Sequence, residues 1–163
     1  MELETVLRDQ VTRDDMNPGE VSGDHTRLRV RYAETDQMGR AHHMHYLAWF
    51  ELGRTDLLRA AGVAYSEIER EGVRLPVSNV ELEYRSAVGY DELVDVHTRV
   101  KEVRSRTITF TYAAVRTETG EVLATGSTRL VCTDCAGKPM RIPAPILGVL
   151  EELRDANTWM PEG

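Results

Sequence analysis

The sequence predicts an α+β domain in which one antiparallel sheet of five strands wraps around a single long helix. Three observations predict it. From about Met44 to Ala61, the positions Leu47, Phe50, Arg54, Leu57, Leu58 and Ala61 recur at spacings of three and four, the period of a helix. Tyr46, Trp49 and Leu52 lie on its other side. A helix apolar nearly all round has to be covered by the rest of its chain. One alternating segment before it and four after it carry the period of strands. The helix is the only large apolar body available to the buried face of a sheet, so the sheet has to curl around it.

Each element has its own signal. Over Thr26–Ala33, Leu28, Val30 and Tyr32 alternate with Arg27, Arg29 and Arg31, a half-buried strand. Gly62 is the expected stop of the helix. The later strands are expected over Leu75–Tyr84, Glu92–Arg104, Arg106–Thr117 and Val122–Cys132. Ser105 and Thr119-Gly120 mark tight turns, which makes the last three an antiparallel meander. Pro143 and Pro145 precede a short C-terminal helix over Ile146–Asp155. Residues 1–25 read as an acidic tail, poorly ordered, with a short helix over 3–10 as the alternative. They hold seven acids against Arg8 and Arg13, a net −5 of the chain's −7. Asn17-Pro18-Gly19 and Ser22-Gly23 break any regular element there. The expected organisation is tail 1–25, one domain over 26–155, and a terminal tail over 156–163.

Composition narrows the function. At 163 residues the chain is one domain that buries roughly two-thirds of its unfolded surface. A net charge of −7 and a pI near 5.3 argue against nucleic-acid binding, which needs clustered Lys and Arg. No apolar run approaches the ~20 residues of a membrane span. MELETVLRDQ lacks the basic start and apolar run of a secretion signal, so a cytoplasmic location is expected. Cys132 and Cys135 form a C-x-x-C pair. A zinc site would need two more ligands, and a redox pair is expected at a helix N-terminus. This pair sits at a strand end before Gly137-Lys138-Pro139, so it reads as two reduced thiols.

The most informative stretch is RYAETDQMGRAHHMHYLAWFE, residues 31–51. Thr35-Asp36 follows a strand, Gly39 sits in a loop, His42, His43 and His45 come next, and the pattern turns helical at Tyr46. A carboxylate just before a helix N-terminus can do chemistry, because the free N–H groups of the first turn can hold a developing oxyanion. The alternative for Asp36 is a capping carboxylate worth about 1 kcal/mol. The three histidines with Asp36 match a metal-ligand set by residue type. Only His42 and His45 share a face, so no metal is expected.

These residues resemble the hotdog-fold acyl-CoA thioesterases of the 4-hydroxybenzoyl-CoA thioesterase type, in their Tol-Pal-associated, YbgC-like branch. The family's Asp, its Gly loop, a residue seven after the Asp, a Tyr ten after and an acid fifteen after correspond here to Asp36, Gly39, His43, Tyr46 and Glu51. Arg54 and Thr55 continue the match. Glu83-Tyr84-Arg85-Ser86-Ala87 with Tyr90-Asp91-Glu92 resembles a later motif, with Ser86 where proline is common. Arg141-Ile142-Pro143 matches the closing segment. The resemblance covers about residues 26–150.

It implies hydrolysis of an acyl-CoA thioester, with no cofactor beyond the coenzyme A of the substrate. Asp36 is the expected nucleophile or general base, and the backbone N–H of His43 the oxyanion donor. Gly39, Tyr46 and Glu51 are expected at the substrate, Tyr46 with packing as its first reading and Glu51 with an exposed or salt-bridged glutamate as its alternative. Arg104, Arg106 and Arg141 are candidates for the phosphates of coenzyme A, with Lys138 and Arg85 as further ones. A homodimer with a continuous sheet is expected, or a dimer of dimers, with active sites at the subunit interface. Few aromatics lean the acyl group towards short or medium aliphatic chains. Two rivals share the fold. Hotdog hydratases carry His five residues after the Asp with Asn-Pro between, where this chain has Ala41. A non-catalytic acyl-CoA-binding regulator needs a DNA-binding segment, and the acidic tail has the wrong sign for one.

Overall fold

A computed structural model of the chain describes residues 20–22 and 25–156. Its elements are β1 (Glu20–Ser22), β2 (His25–Arg29), a single 3-10 turn (Tyr32–Glu34), α1 (His45–Ala60), α2 (Tyr65–Arg70), β3 (Val77–Tyr84), β4 (Leu93–Val103), β5 (Thr107–Arg116), β6 (Val122–Val131) and α3 (Ala144–Asp155). The strands form one antiparallel sheet in the order β1-β2-β4-β5-β6-β3. Five of the six are the expected ones, and β4-β5-β6 is the expected meander. The sixth, β1, adds three residues at one edge and falls within the stretch read as a tail. The helix considered over 3–10 lies outside the described residues.

The sequence reading runs the first strand too far. β2 ends at Arg29, and Tyr32 is 78% exposed rather than facing the core. The cause is local. The Glu34 carboxylate reaches back to the Arg31 N–H at 2.8 Å, and the Glu34 N–H donates to the Arg31 carbonyl at 2.9 Å. That reciprocal capping winds the chain into a turn just where alternation would continue it. The helix face also differs from the period reading. Leu47 is 40% exposed, whereas Tyr46, Trp49 and Phe50 are buried with Gly53, Arg54, Asp56 and Leu58. The short α2, which no periodicity announced, covers the core with Ile68. Pro145 stands inside the first turn of α3, where a missing N–H costs nothing.

Two glycines let α1 lie against the sheet. A Cβ on Gly53 would meet Thr98 Oγ1 at 2.5 Å, and one on Gly126 would meet the Glu81 carbonyl at 2.7 Å and the Phe50 ring at 2.8 Å. Phe50 then stacks on Tyr112 of β5, with ring centroids 4.5 Å apart. The Tyr112 hydroxyl bonds Thr128 Oγ1 at 2.6 Å and accepts from Arg54 at 3.2 Å. On the other side, Thr26 of β2 donates to the buried Asp56 of α1 at 3.1 Å.

β3 closes one edge of the sheet and is exposed along nearly its whole length. Val77, Val80 and Tyr84 are each more than 40% exposed, and only Leu82 is half-buried. A long apolar edge of this kind is open to pairing with another strand.

Candidate active site

The loop between β2 and α1 is a tight hairpin. The His42 N–H donates to the Glu34 carbonyl at 2.8 Å, Thr35 bridges Ala41, and the Asp36 N–H donates to the Arg40 carbonyl at 2.9 Å. Gly39 closes the turn at φ +73°, a conformation that suits glycine. The hairpin is anchored to the loop before β4, where Arg40 bridges Gly89 and the Ala41 N–H donates to the Val88 carbonyl at 2.8 Å. Arg116 holds that second loop by an ion pair to Glu92 and a bond to the Ala87 carbonyl, and it also pairs with Glu121 of the β5–β6 turn.

Asp36 is half-buried at this turn. Its Oδ1 accepts from Met38 N–H at 2.8 Å and, at longer range, from Arg40 N–H at 3.5 Å. Among the described residues no donor reaches its Oδ2. The same chain holds a twin of this turn. In Thr133-Asp134-Cys135-Ala136-Gly137-Lys138, Asp134 Oδ1 accepts from Ala136 and Lys138 N–H, both at 2.9 Å. Gly137 again has positive φ, and Thr133 bridges Pro139. The carboxylate turn is therefore a folding device that this chain uses twice. What distinguishes Asp36 is that its turn leads within a few residues into the N-terminus of the long helix.

That N-terminus supplies donors. Met44 N–H points at His42 Nδ1 at 3.3 Å, and His45 N–H donates to the His42 carbonyl at 3.1 Å. Among the described residues the His43 N–H has no protein acceptor. The His43 carbonyl is pinned by the Tyr84 hydroxyl at 2.7 Å, so β3 fixes the peptide on its other side. The His43 ring lies 4.1 Å from that of His42 and is exposed. Leu47 and Glu51, four and eight residues on, continue the His43 stripe along the exposed side of α1.

Tyr46, three residues after His43, flanks this stripe and turns into the core. It is 3% exposed, its ring packs on Trp49 and Tyr84, and burial together with the Tyr84 hydroxyl pushes its phenol up. Packing, the first reading of this residue, describes its place in the protomer. Arg104 and Arg106 flank the β4–β5 turn, and the Ile142 N–H bonds the Ser105 carbonyl at 2.9 Å, which brings Arg141 to the same turn. All three are exposed, and Arg104 pairs with Glu102 at 2.9 Å. Lys138 is exposed in the Asp134 turn, and Arg85 pairs with Glu83 at 3.4 Å. The three arginines lie beyond one end of β4, and the Asp36 hairpin lies beyond the other. At ~3.3 Å per residue the two groups are about 30 Å apart along the strand. The protomer thus assembles Asp36, Gly39 and His43 and keeps the arginines apart from them.

Sequence reasoning missed Glu34 and Trp49. Glu34 is 4% exposed and accepts from Arg31 N–H at 2.8 Å, the Arg31 guanidinium at 3.0 Å and Trp49 Nε1 at 3.1 Å. Burial pushes its carboxyl up. The Arg31 and Trp49 donors outweigh that and hold it below the usual carboxylate range. The one signal was that an indole N–H on a helix apolar nearly all round needs an acceptor, and the sequence does not say which residue supplies it. Cys132 is buried, and burial pushes its thiol up, whereas Cys135 is exposed. Both are free thiols. Among the described residues no group of three His, Cys, Asp or Glu is placed to hold a metal ion, and no helix is long and apolar enough to cross a membrane.

A sheet packed on one long helix, with an acid and an open amide on the segment that leads into that helix, is the hotdog architecture of thioester-processing proteins. The sequence profile of the Thioesterase-like superfamily matches residues 30–153, and the chain belongs to that family. A crystal structure of hypothetical protein TT1821 from Thermus thermophilus is 41% identical, with a TM-score of 0.76 over 80% of this chain and 98% of its own. The DHNA-CoA thioesterase of Staphylococcus aureus is 32% identical, with a TM-score of 0.76 over 82% of this chain and 91% of its own. The acyl-CoA thioesterase YbgC of Haemophilus influenzae is 29% identical over 129 residues, 78% of this chain and 93% of its own.

Proposed function

We propose that this protein is an acyl-CoA thioesterase that hydrolyses the thioester to free acid and coenzyme A through Asp36. The observation that carries the reading is a half-buried carboxylate with one oxygen fixed by the Met38 amide and the other open, on a hairpin that runs into the N-terminus of α1. The open oxygen either attacks the carbonyl carbon or takes a proton from an attacking water. Charge that develops on the carbonyl oxygen is received by the His43 N–H, aided by the helix dipole. The exposed stripe of Leu47 and Glu51 borders the acyl group. The relatives' names support an acyl-CoA substrate, and a cytoplasmic site of action fits two thiols left unlinked.

The working unit in this reading is a homodimer joined at β3. The Val77 end of β3 lies at the arginine end of the sheet, and its Tyr84 end lies by His43. Antiparallel pairing of β3 with its copy sets the Val77 end of one beside the Tyr84 end of the other. The partner's Arg104, Arg106 and Arg141 then come to the end of the sheet that holds Asp36, where the phosphates of coenzyme A need cations. Thiol release from a panel of aliphatic and aromatic acyl-CoAs tests the activity and identifies the acyl group. Binding without release would make the protein a carrier instead. Light scattering of wild type and Val80→Lys tests the dimer, and a monomeric wild type would remove it.

A further inference from the structure

Glu34 holds both halves of the Asp36 hairpin. Its carbonyl accepts the His42 N–H at 2.8 Å, one residue before the proposed oxyanion donor. Its carboxylate accepts the Trp49 indole N–H at 3.1 Å, one turn inside α1, and the Arg31 N–H and guanidinium from the strand side. Asp36 follows two residues later. The separation between the Asp36 carboxylate and the first amides of α1 is thus set by a clip whose ends lie on the strand side and on the helix, and whose centre is one buried acid. Trp49 is itself fixed, 3% exposed with its ring 4.6 Å from that of Tyr46, so the clip is mounted on packed core rather than on a loop.

We infer that Glu34, with Trp49 as its anchor, is a positioning residue for thioester hydrolysis: it sets the Asp36 carboxylate at attack distance from a carbonyl held by the helix N-terminus. The inference rests on the activity proposed above. It assigns Glu34 no contact with substrate. An error of about 1 Å in such a placement costs on the order of 10²-fold in rate while leaving remote binding contacts intact.

The test compares wild type with Glu34→Leu, Glu34→Gln and Trp49→Phe, each measured for kcat and KM by thiol release on one active acyl-CoA. The folded fraction comes from a thermal melt, and the Kd comes from a non-hydrolysable thioether analogue of that substrate. Glu34→Leu is expected to lose on the order of 10²-fold in kcat per folded molecule, with analogue Kd within about twofold of wild type. Glu34→Gln, whose amide oxygen still accepts from the indole, should recover most of that loss. Trp49→Phe keeps the aromatic packing, removes one donor and should fall between them; it reads the clip even if Glu34→Leu fails to fold. Retained kcat in Glu34→Leu or Trp49→Phe, a Glu34→Gln that loses as much as Glu34→Leu, or losses that match the folded fraction or the loss of analogue binding, would overturn the positioning role alone. A wild type that releases no thiol from any acyl-CoA would overturn the thioesterase reading and this inference with it.

Discussion

Asp36 and Asp134 close the same turn. Each accepts through Oδ1 from backbone N–H groups two and four residues on, each is followed three residues later by a glycine at positive φ, and each loop is held by a bridge between the flanking residues. Replacing either by alanine should cost a similar stability, about 1 kcal/mol, because the same type of bond is lost in both turns. Thermal melts of the two variants check this. A much larger loss at Asp36 alone would mean that its carboxylate carries structural weight beyond the turn.

The acid behaviour of Glu34 has a definite sign. Its folded carboxyl lies below the ordinary value of 4.5, so its bonds stabilise the fold fully above that value and the contribution is lost as pH falls through the folded value. Glu34→Gln should therefore be less stable than wild type at pH 7 by about 1–3 kcal/mol, with the gap narrowing once the pH drops below about 4.5. Paired denaturant titrations across pH 3–7 measure it. A gap that widens in acid would show that the buried carboxyl is held protonated.

Gly126 is expected to reject a side chain. An added methyl meets a backbone carbonyl on one side and the Phe50 ring on the other, so Gly126→Ala should destabilise by about 1–3 kcal/mol. Gly148, which faces open space on α3, should tolerate or welcome alanine, gaining up to about 1 kcal/mol of helix propensity. Melting both variants checks the contrast.

The two cysteines should separate by reactivity. Cys135 is exposed and should react with a disulfide reagent in the native protein, while the buried Cys132, its thiol pushed up, should react only on unfolding. Counting fast and slow thiols with and without denaturant distinguishes them. Two fast thiols would place Cys132 at the surface.

The strands and the long helix were legible because buried faces impose periods of two and 3.6 on the residues that make them. Three features escaped. Tyr32 continues the alternation of β2, but the reciprocal bonds of Arg31 and Glu34 turn the chain before the pattern can act. β1 is three residues long in an acidic stretch, and so short a strand carries no period. The α1 face was misjudged at Leu47, because an apolar residue on a helix reads as core whether its cover comes from the same chain or from another. In the candidate site, Asp36 was visible through its place just before the helix, and Gly39 through the family resemblance. Glu34 was not, since an acid at a strand end reads as solvated, and only the fold brings an indole to it.

The most direct measurement is thiol release from an acyl-CoA panel by wild type, Asp36→Asn and Asp134→Asn at matched folded fraction. The amide preserves both turns, because its oxygen accepts the same N–H bonds. Asp36→Asn should lose on the order of 10²–10⁴-fold in kcat, and Asp134→Asn should match wild type. An Asp36→Asn variant that turns over acyl-CoA as fast as wild type would contradict the account, whatever the fold.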